Sequence, residues 1–214
     1  MRAIVLPVKS LSEAKSRLEP LLTPLERAVL TLAMLEDVLD VTEQLRGWAT
    51  WVISPDEAVL EIAVRRGASP IVEETPSLSA AMEQVGEEAV GRGAESLAVL
   101  LPDTPFVTSA ALTRAVHTLG PVVLGPARDG TGTNLLIRRP PGALAARFGP
   151  DSYRLHLQEA AKADIPISVV ELPEIGFDLD LPGDILTVLN DRKGGRTREV
   201  CEDMDLRSRI TVKA

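Results

Sequence analysis

Residues 96–120 read SLAVLLPDTPFVTSAALTRAVHTLG. The opening SLAVLLP is apolar without a break, as a strand buried on both faces of a sheet must be, and TSAALTRAVHTLG reads as the helix that follows it. Between them Asp103 sits in a turn stiffened by Pro102 and Pro105. Strand, turn and helix make one crossover unit of a largely parallel sheet, and the same rhythm runs outward in both directions.

Upstream, AIVLPV (3–8), ATWVIS (49–54) and SPIVEE (69–74) read as strands. A helix is expected over 23–41, where Thr23 caps, Pro24 takes the first position and Glu26 closes a capping box. Its apolar stripe is Leu25, Val29, Leu32, Leu35, Val38 and Leu39. The stretch 54–67 repeats the logic, with Ser54 as cap, Pro55 first, Glu57 closing the box and Gly67 as the stop. Residues 77–93 form a further helix that Gly86 weakens without excluding. Downstream, PVVLGPA (121–127) and TNLLIRR (133–139) flank the turn-rich RDGTGT, a helix covers 150–164, ISVVEL (167–172) is a strand and PGDILTVLND (182–191) a last helix. Neither repeat nor linker divides the chain, so residues 1–214 are read as one domain. The mixed-sign stretch 192–214, with its Gly pair, is read as a loosely ordered, solvated C-terminal extension.

Composition narrows the function. Aromatic residues are only 3% of the chain, so the core must be Leu, Val, Ile and Ala, which suits helices packed on a buried sheet. A net charge of −8 argues against nucleic acid or an anionic membrane as partner, because both require a cationic face. Cys201 is the single cysteine, so no intrachain disulfide can form, and it is read as incidental in a reducing compartment. AIVLPV is too short and too soon interrupted by Lys9 for a signal peptide, and no run approaches a membrane span. A cytoplasmic location is the expectation.

Ligands of open α/β sheets gather outside the carboxyl ends of strands, and four segments fall there. In the first, Lys9, Lys15 and Arg17 follow the opening strand and can converge on a polyphosphate if the loop curls back; a solvated basic loop is an equally good reading of the segment alone. Neither a P-loop nor GxGxxG is present. In the second, Asp103 is placed either to hold Mg2+ or simply to form its turn. In the third, GFDLDLPGDI (176–185), strand alternation turns Asp178 and Asp180 to one face, where they repel unless a cation or a proton intervenes. Asp184 fits the first turn of the following helix, complementing its dipole. In the fourth, Thr131, Thr133, Gly149 and Ser152 offer hydroxyl and backbone donors suited to a small phosphorylated acid, with Arg128, Arg138, Arg139 and Arg147 adding charge nearby. Ser152 could equally be only a helix cap, the arginines could face water, and His117 and His156 read as ordinary surface or core residues.

The run LPVKSLSEAKSRL (6–18), PDTPFV (102–107), GTNLLIRRP (132–140), RFGPDSYRLHLQEA (147–160) and FDLDLPGDI (177–185), taken in order, resembles the guanylyltransferases of coenzyme F-420 biosynthesis that act on 2-phospho-L-lactate or phosphoenolpyruvate. The resemblance spans about residues 1 to 200. It implies a three-layer α/β/α sandwich with a mainly parallel mixed sheet, similar to the nucleotide-diphospho-sugar transferases. By position it implies that Asp103 and Asp178 ligate Mg2+ with Asp180 beside them, and that Thr133, Gly149 and Ser152 hold the acceptor's phosphate and carboxylate. Lys9, Lys15 and Arg17 would meet the triphosphate of GTP, with Lys9, Lys15, Arg17 and Asp103 as the catalytic set, and Leu78 and Ser79 would neighbour the guanine. Two departures stand out: the wider superfamily's Gly-rich loop is replaced by PVKSLSEAKSRL, and Leu181 takes the place of Thr in the D-x-D-T-P signature. The expected partners are GTP and a small phosphorylated carboxylic acid, with a homodimer compatible with the sequence. Phosphoenolpyruvate is the preferred acceptor. Another phosphorylated acceptor (3-phosphoglycerate, a sugar phosphate or molybdenum cofactor) and a non-catalytic nucleotide-binding module are the alternatives.

Overall fold

The computed structural model describes residues 1–75, 77–191 and 195–213. Its strands are β1 (Arg2–Pro7), β2 (Ala49–Ser54), β3 (Ser69–Val72), β4 (Ser96–Leu100), β5 (Val122–Pro126), β6 (Thr133–Arg138) and β7 (Ile167–Val169), joined in one sheet in the order β3-β2-β1-β4-β6-β5-β7. Strand β6 pairs antiparallel with β4 and β5, while the other pairs are parallel. Alternate residues of each central strand feed different cores. Ile4, Leu6, Ala98 and Leu100 pack against α1 (Pro24–Thr42), α2 (Glu57–Arg65), α4 (Ser109–His117) and α6 (Pro173–Gly176). Ala3, Val5, Leu97 and Val99 pack against α3 (Leu78–Gly91) and α5 (Ser152–Lys162). The result is the expected α/β/α sandwich. Among the described residues no helix is long and apolar enough to cross a membrane.

Three local expectations are corrected. Ser54 does not cap α2: it ends β2, fully buried, and accepts the Asp56 N–H at 3.1 Å, so the helix starts at Glu57. Thr23, Pro24 and Glu26 do form the capping box of α1, but Leu25 and Val29 are exposed. The buried face there is instead Arg27, Leu30, Thr31 and Met34, because this end of the helix is packed from the side by the loop after β1 and by the C-terminal helices.

The third correction concerns the tail. Residues 192–194 lie outside the described residues, but α8 (Arg196–Asp203) and α9 (Leu206–Lys213) are ordered helices, packed with α7 (Pro182–Asn190) beyond α1. Cys201 and Leu206 are fully buried in a third apolar cluster with Leu30, Met34 and Leu189. The Asp37 carboxylate of α1 accepts the N–H groups of Arg196 and Thr197 at 2.8 and 2.9 Å and the Thr197 hydroxyl at 2.6 Å, so the first turn of α8 is capped from a distant helix. Arg196 pairs with Asp40 one turn further along α1. Burial pushes the Cys201 thiol up to about 12, aided by Glu202, so it is an inert core group.

Candidate active site

Strand β1 continues to β2 on one side and lies beside β4 on the other, and such a reversal opens a crevice at the strands' carboxyl ends. A cavity of about 610 Å³ occupies it. One wall is charged. The loop after β1 curls back because Arg27, only 5% exposed, donates from Nε to the Ala14 carbonyl at 3.1 Å and from Nη1 to the Leu22 carbonyl at 3.3 Å. Leu18 is buried beneath it, and Lys15 takes a left-handed backbone (φ 51°) at the start of the 3-10 turn Ser16–Leu18. Lys15 Nζ thereby lies 2.8 Å from Asp103 Oδ2 and 2.8 Å from Asp180 Oδ1. Arg17 Nη1 reaches Asp180 Oδ2 at 3.1 Å, and Lys9, exposed, lines the same cavity.

Asp103 and the segment 177–181 are tied together by the backbone: the Leu179 N–H donates to the Asp103 carbonyl at 3.0 Å. Leu179 is fully buried, so Asp178 and Asp180 on either side of it turn out into the cavity. The segment's alternation predicts a strand; it is not one, but the burial of Leu179 between them leaves Asp178 and Asp180 both lining the cavity. Asp184, expected only to complement the helix dipole, does more. Its Oδ2 accepts the Asp180 N–H at 2.8 Å and the Leu181 N–H at 2.7 Å, while Oδ1 meets Arg128, whose guanidinium stacks 4.6 Å above the Phe177 ring. Asp184 is thus the clamp that fixes the Asp178–Asp180 pair.

These contacts set the charges. Burial works against the Lys15 ammonium, but Asp103 and Asp180 outweigh it and hold its pKa above the ordinary value. Burial raises Asp180 too, yet Lys15, Arg17 and Lys9 bring its carboxyl below the usual range. For Asp178, burial first, then the charges of Asp103 and Asp180, push the carboxyl up. Among the described residues no three acidic, His or Cys side chains stand in a ready-made metal cage, because the Lys15 ammonium sits between two of the carboxylates. The donor set nevertheless suits a hard divalent cation. Asp103 Oδ1 is buried with no hydrogen-bond partner, and Asp178 is crowded by like charge; a cation would relieve both.

The opposite wall presents hydroxyl and backbone groups and no cation of its own among the lining residues, with the carboxylates of Asp129 and Asp151 beside them. The pairing of β5 with β6 slips between Gly125, opposite Leu135, and Pro126, opposite Thr133, so Asn134 is an extra residue in a β-bulge. The bulge turns Thr133 towards α5 and Asn134 towards α6. Asn134 Nδ2 donates to the carbonyls of Ile175 and Gly176 at 2.9 and 3.2 Å, which positions the chain entering Asp178. Thr133 Oγ1 lies 3.0 Å from His156 Nδ1, and the Arg147 N–H donates to His156 Nε2 at 2.8 Å. Gly149, at φ +124°, gives the turn a conformation that side chains rarely adopt, and its carbonyl accepts the Ser152 N–H at 3.2 Å. Thr133, Gly149 and Ser152 all line the cavity, as does Asp129.

Several expected neighbours lie elsewhere. Leu78 lines the cavity, but Ser79 is exposed and outside it. Arg138 is buried at the far end of β6, because it pairs with Leu97 at the start of β4. Arg139 donates to the carbonyls of Gly120 and Val116 there. The Arg147 side chain faces Glu159 at 3.6 Å; His117, read as an ordinary surface or core residue, is exposed with Nδ1 2.7 Å from the Thr113 carbonyl. Sequence reasoning missed Arg27, Asn134, the clamp at Asp184 and the connection of His156 to Thr133. The polar pair Thr133–Asn134 opening an otherwise apolar strand was the one available signal.

The fold matches solved nucleotidyl-chemistry structures at low identity. A protein from Desulfovibrio desulfuricans G20 assigned as a nucleotide-diphospho-sugar transferase superposes with a TM-score of 0.76 at 18% identity, covering 98% of this chain and 99% of that one. CMP:2-keto-3-deoxy-manno-octonic acid synthetase, solved with CTP, gives 0.58 at 16%, over 88% and 97%. In sequence, the chain is 40% identical over 184 residues to the phosphoenolpyruvate guanylyltransferase of Rubrobacter xylanophilus, covering 85% of this chain and 90% of the relative. It is 30% identical over 186 residues to the 3-phospho-D-glycerate guanylyltransferase of Colwellia psychrerythraea, over 85% and 88%. A family model described as guanylyl transferase CofC like matches residues 1–213, and the chain belongs to that guanylyl transferase family.

Proposed function

We propose that the protein transfers GMP from GTP to the phosphate of phosphoenolpyruvate with release of pyrophosphate, as a step of coenzyme F-420 biosynthesis. The observation that carries this reading is the meeting of Lys15 with Asp103 and Asp180, from turns far apart in the chain, in a cavity whose other wall presents Thr133, Gly149 and Ser152. The preference for phosphoenolpyruvate follows the 40% identical relative; a 3-phosphoglycerate acceptor is the second reading, supported by the relative at 30%.

A phosphate acceptor and a triphosphate repel each other, so the chain's first task is to neutralise and align them. Lys15, Arg17 and Lys9 supply the positive charge on the donor side. Thr133, Ser152 and the backbone at Gly149 supply uncharged donors that hold the acceptor's phosphate and carboxylate in place. The acceptor phosphate is ionised at neutral pH, so its oxygen can attack the α-phosphorus without a general base, in keeping with a neutral, buried His156. Asp103, Asp178 and Asp180 are the residues that would hold Mg2+, which, when bound, supplies charge stabilisation to the phosphoryl group and the departing pyrophosphate. Attack forms one P–O bond to the acceptor and breaks the bond between the α- and β-phosphates.

The test is incubation of purified protein with GTP, Mg2+ and each of phosphoenolpyruvate, 2-phospho-L-lactate and 3-phosphoglycerate, with product identified by mass. A guanylylated phosphoenolpyruvate with stoichiometric pyrophosphate is expected. Product from 3-phosphoglycerate alone would replace the acceptor, and magnesium-independent GTP binding without turnover would replace the enzyme reading altogether.

A further inference from the structure

We infer that His156 is a positioning residue that locks the Thr133 hydroxyl as a hydrogen-bond donor towards the cavity, making this wall selective for an anionic acceptor oxygen. The inference rests on the acceptor reading of that wall and deepens it. It starts from a backbone amide. The Arg147 N–H, which can only donate, points at His156 Nε2 from 2.8 Å, so Nε2 must carry a lone pair. The ring must also be neutral. It is fully buried, with the Phe148 ring edge-on at 5.3 Å, and the charged groups around it are Arg138, Arg147 and Glu159. Arg138 is itself buried with Nε and Nη2 unpaired, a concentration of positive charge that opposes a second cation beside it. Burial, then Arg138, bring the ring's pKa down to about 4.

A neutral ring with a free Nε2 carries its proton on Nδ1. Nδ1 lies 3.0 Å from Thr133 Oγ1. The hydroxyl oxygen therefore accepts from the ring, and its own hydrogen must be given elsewhere. Among the described residues His156 is the partner found for that hydroxyl, and the direction left open is the cavity that Thr133 lines. The opposite arrangement, with Thr133 donating to Nδ1, would place an Nε2–H head-on against the Arg147 N–H inside the protein, leaving two buried donors facing each other. A hydroxyl free to rotate could serve a donor or an acceptor in the ligand. This one serves acceptors, which is what phosphate and carboxylate oxygens are.

The chain has two histidines, so long-range 1H–15N spectra of the wild-type protein resolve His156 directly. The neutral Nδ1–H tautomer at pH 7 is expected; an Nε2–H tautomer or an imidazolium overturns the inference. In steady-state kinetics His156→Leu should raise the acceptor KM about tenfold with the KM for GTP unchanged, as loss of one oriented hydrogen bond to a charged group does. His156→Asn, whose amide nitrogen can stand in for Nδ1–H, should recover most of that loss. On a Thr133→Val background, His156→Leu should add nothing. Equal effects on both substrates, or an undiminished effect in the Thr133→Val background, would mean that His156 only supports the fold. Should His156→Leu not fold, the wild-type tautomer and His156→Asn decide. A wild-type enzyme inactive on every phosphorylated acid would overturn the function above while leaving the tautomer as an independent result.

Discussion

The wall made by Lys15, Arg17, Asp103, Asp178 and Asp180 and the wall made by Thr133, Gly149, Ser152 and His156 face the same cavity but are organised by different physics. On the first, each charge depends on the others. Lys15 stays ionised although buried because two carboxylates face it, and Asp178 is driven up by burial and then by the charges of Asp103 and Asp180. On the second, direction comes from backbone amides, one glycine conformation and the tautomer of a buried ring. Coupled charges can be redistributed when a polyphosphate arrives, whereas fixed dipoles are ready beforehand. A site that must reconcile two anions gains from having both.

The largest expected effect tests the charged wall. Asp103→Asn removes a carboxylate that would hold the cation and keeps its shape, so turnover measured as pyrophosphate release should fall by about a thousandfold or more, with the circular dichroism spectrum unchanged. Near-normal activity would mean that the acidic cluster is not part of the chemistry. Next, Lys15→Met should lower turnover about a hundredfold and leave Asp103 and Asp180 without their shared cation. Mg2+ alone should then raise the melting temperature of the variant by more than it raises that of the wild type; equal shifts would show that the ammonium does not compete for those oxygens.

The hydroxyl-bearing wall gives smaller and differently shaped responses. His156 is depressed from 6.5 to about 4, so between those values the unfolded chain takes up a proton that the native protein refuses. Stability should therefore fall on acidification across that window by up to about 3 kcal/mol, and urea titrations of His156→Leu should lack this component. A wild-type profile that is flat from pH 6.5 to 4 would show that the ring is not held neutral by its surroundings. The mildest change, Thr133→Ser, keeps the hydroxyl and should move the acceptor KM by no more than about threefold. A loss as large as that of Thr133→Val would mean that the methyl group, not the hydroxyl, is what the wall uses.

The strands and principal helices were legible because their signals are local: unbroken apolar runs for β1 and β4, and a capping box with helical spacing for α1. The errors fell where a distant partner overrode the local reading. Ser54 looks like a cap but is held in β2, and Leu25 looks like core but faces solvent. Residues 195–213 look like a solvated tail because the group that caps α8 is far away in sequence: it is Asp37 on α1. In the site, the charged residues could be shortlisted by type and placement at strand ends, where ligands of open α/β sheets gather, although each had an ordinary structural reading as well. The arginines at 138 and 139 were misplaced because β6 runs antiparallel, which carries its far end away from the cavity.

By itself, then, the amino-acid sequence determined an α/β chain with a basic loop after its first strand, acids at two turns and a set of hydroxyl and glycine donors near a helix start, because each is written in residues adjacent to one another. Only the tertiary structure decided that Lys15 bridges Asp103 and Asp180, that a bulge aims Thr133 and Asn134 in different directions, and that His156 has one tautomer open to it. Ion-pair partners, strand register and the direction of a hydroxyl are properties of segments brought together by packing, and propensities that act over a turn or two of chain carry no information about them.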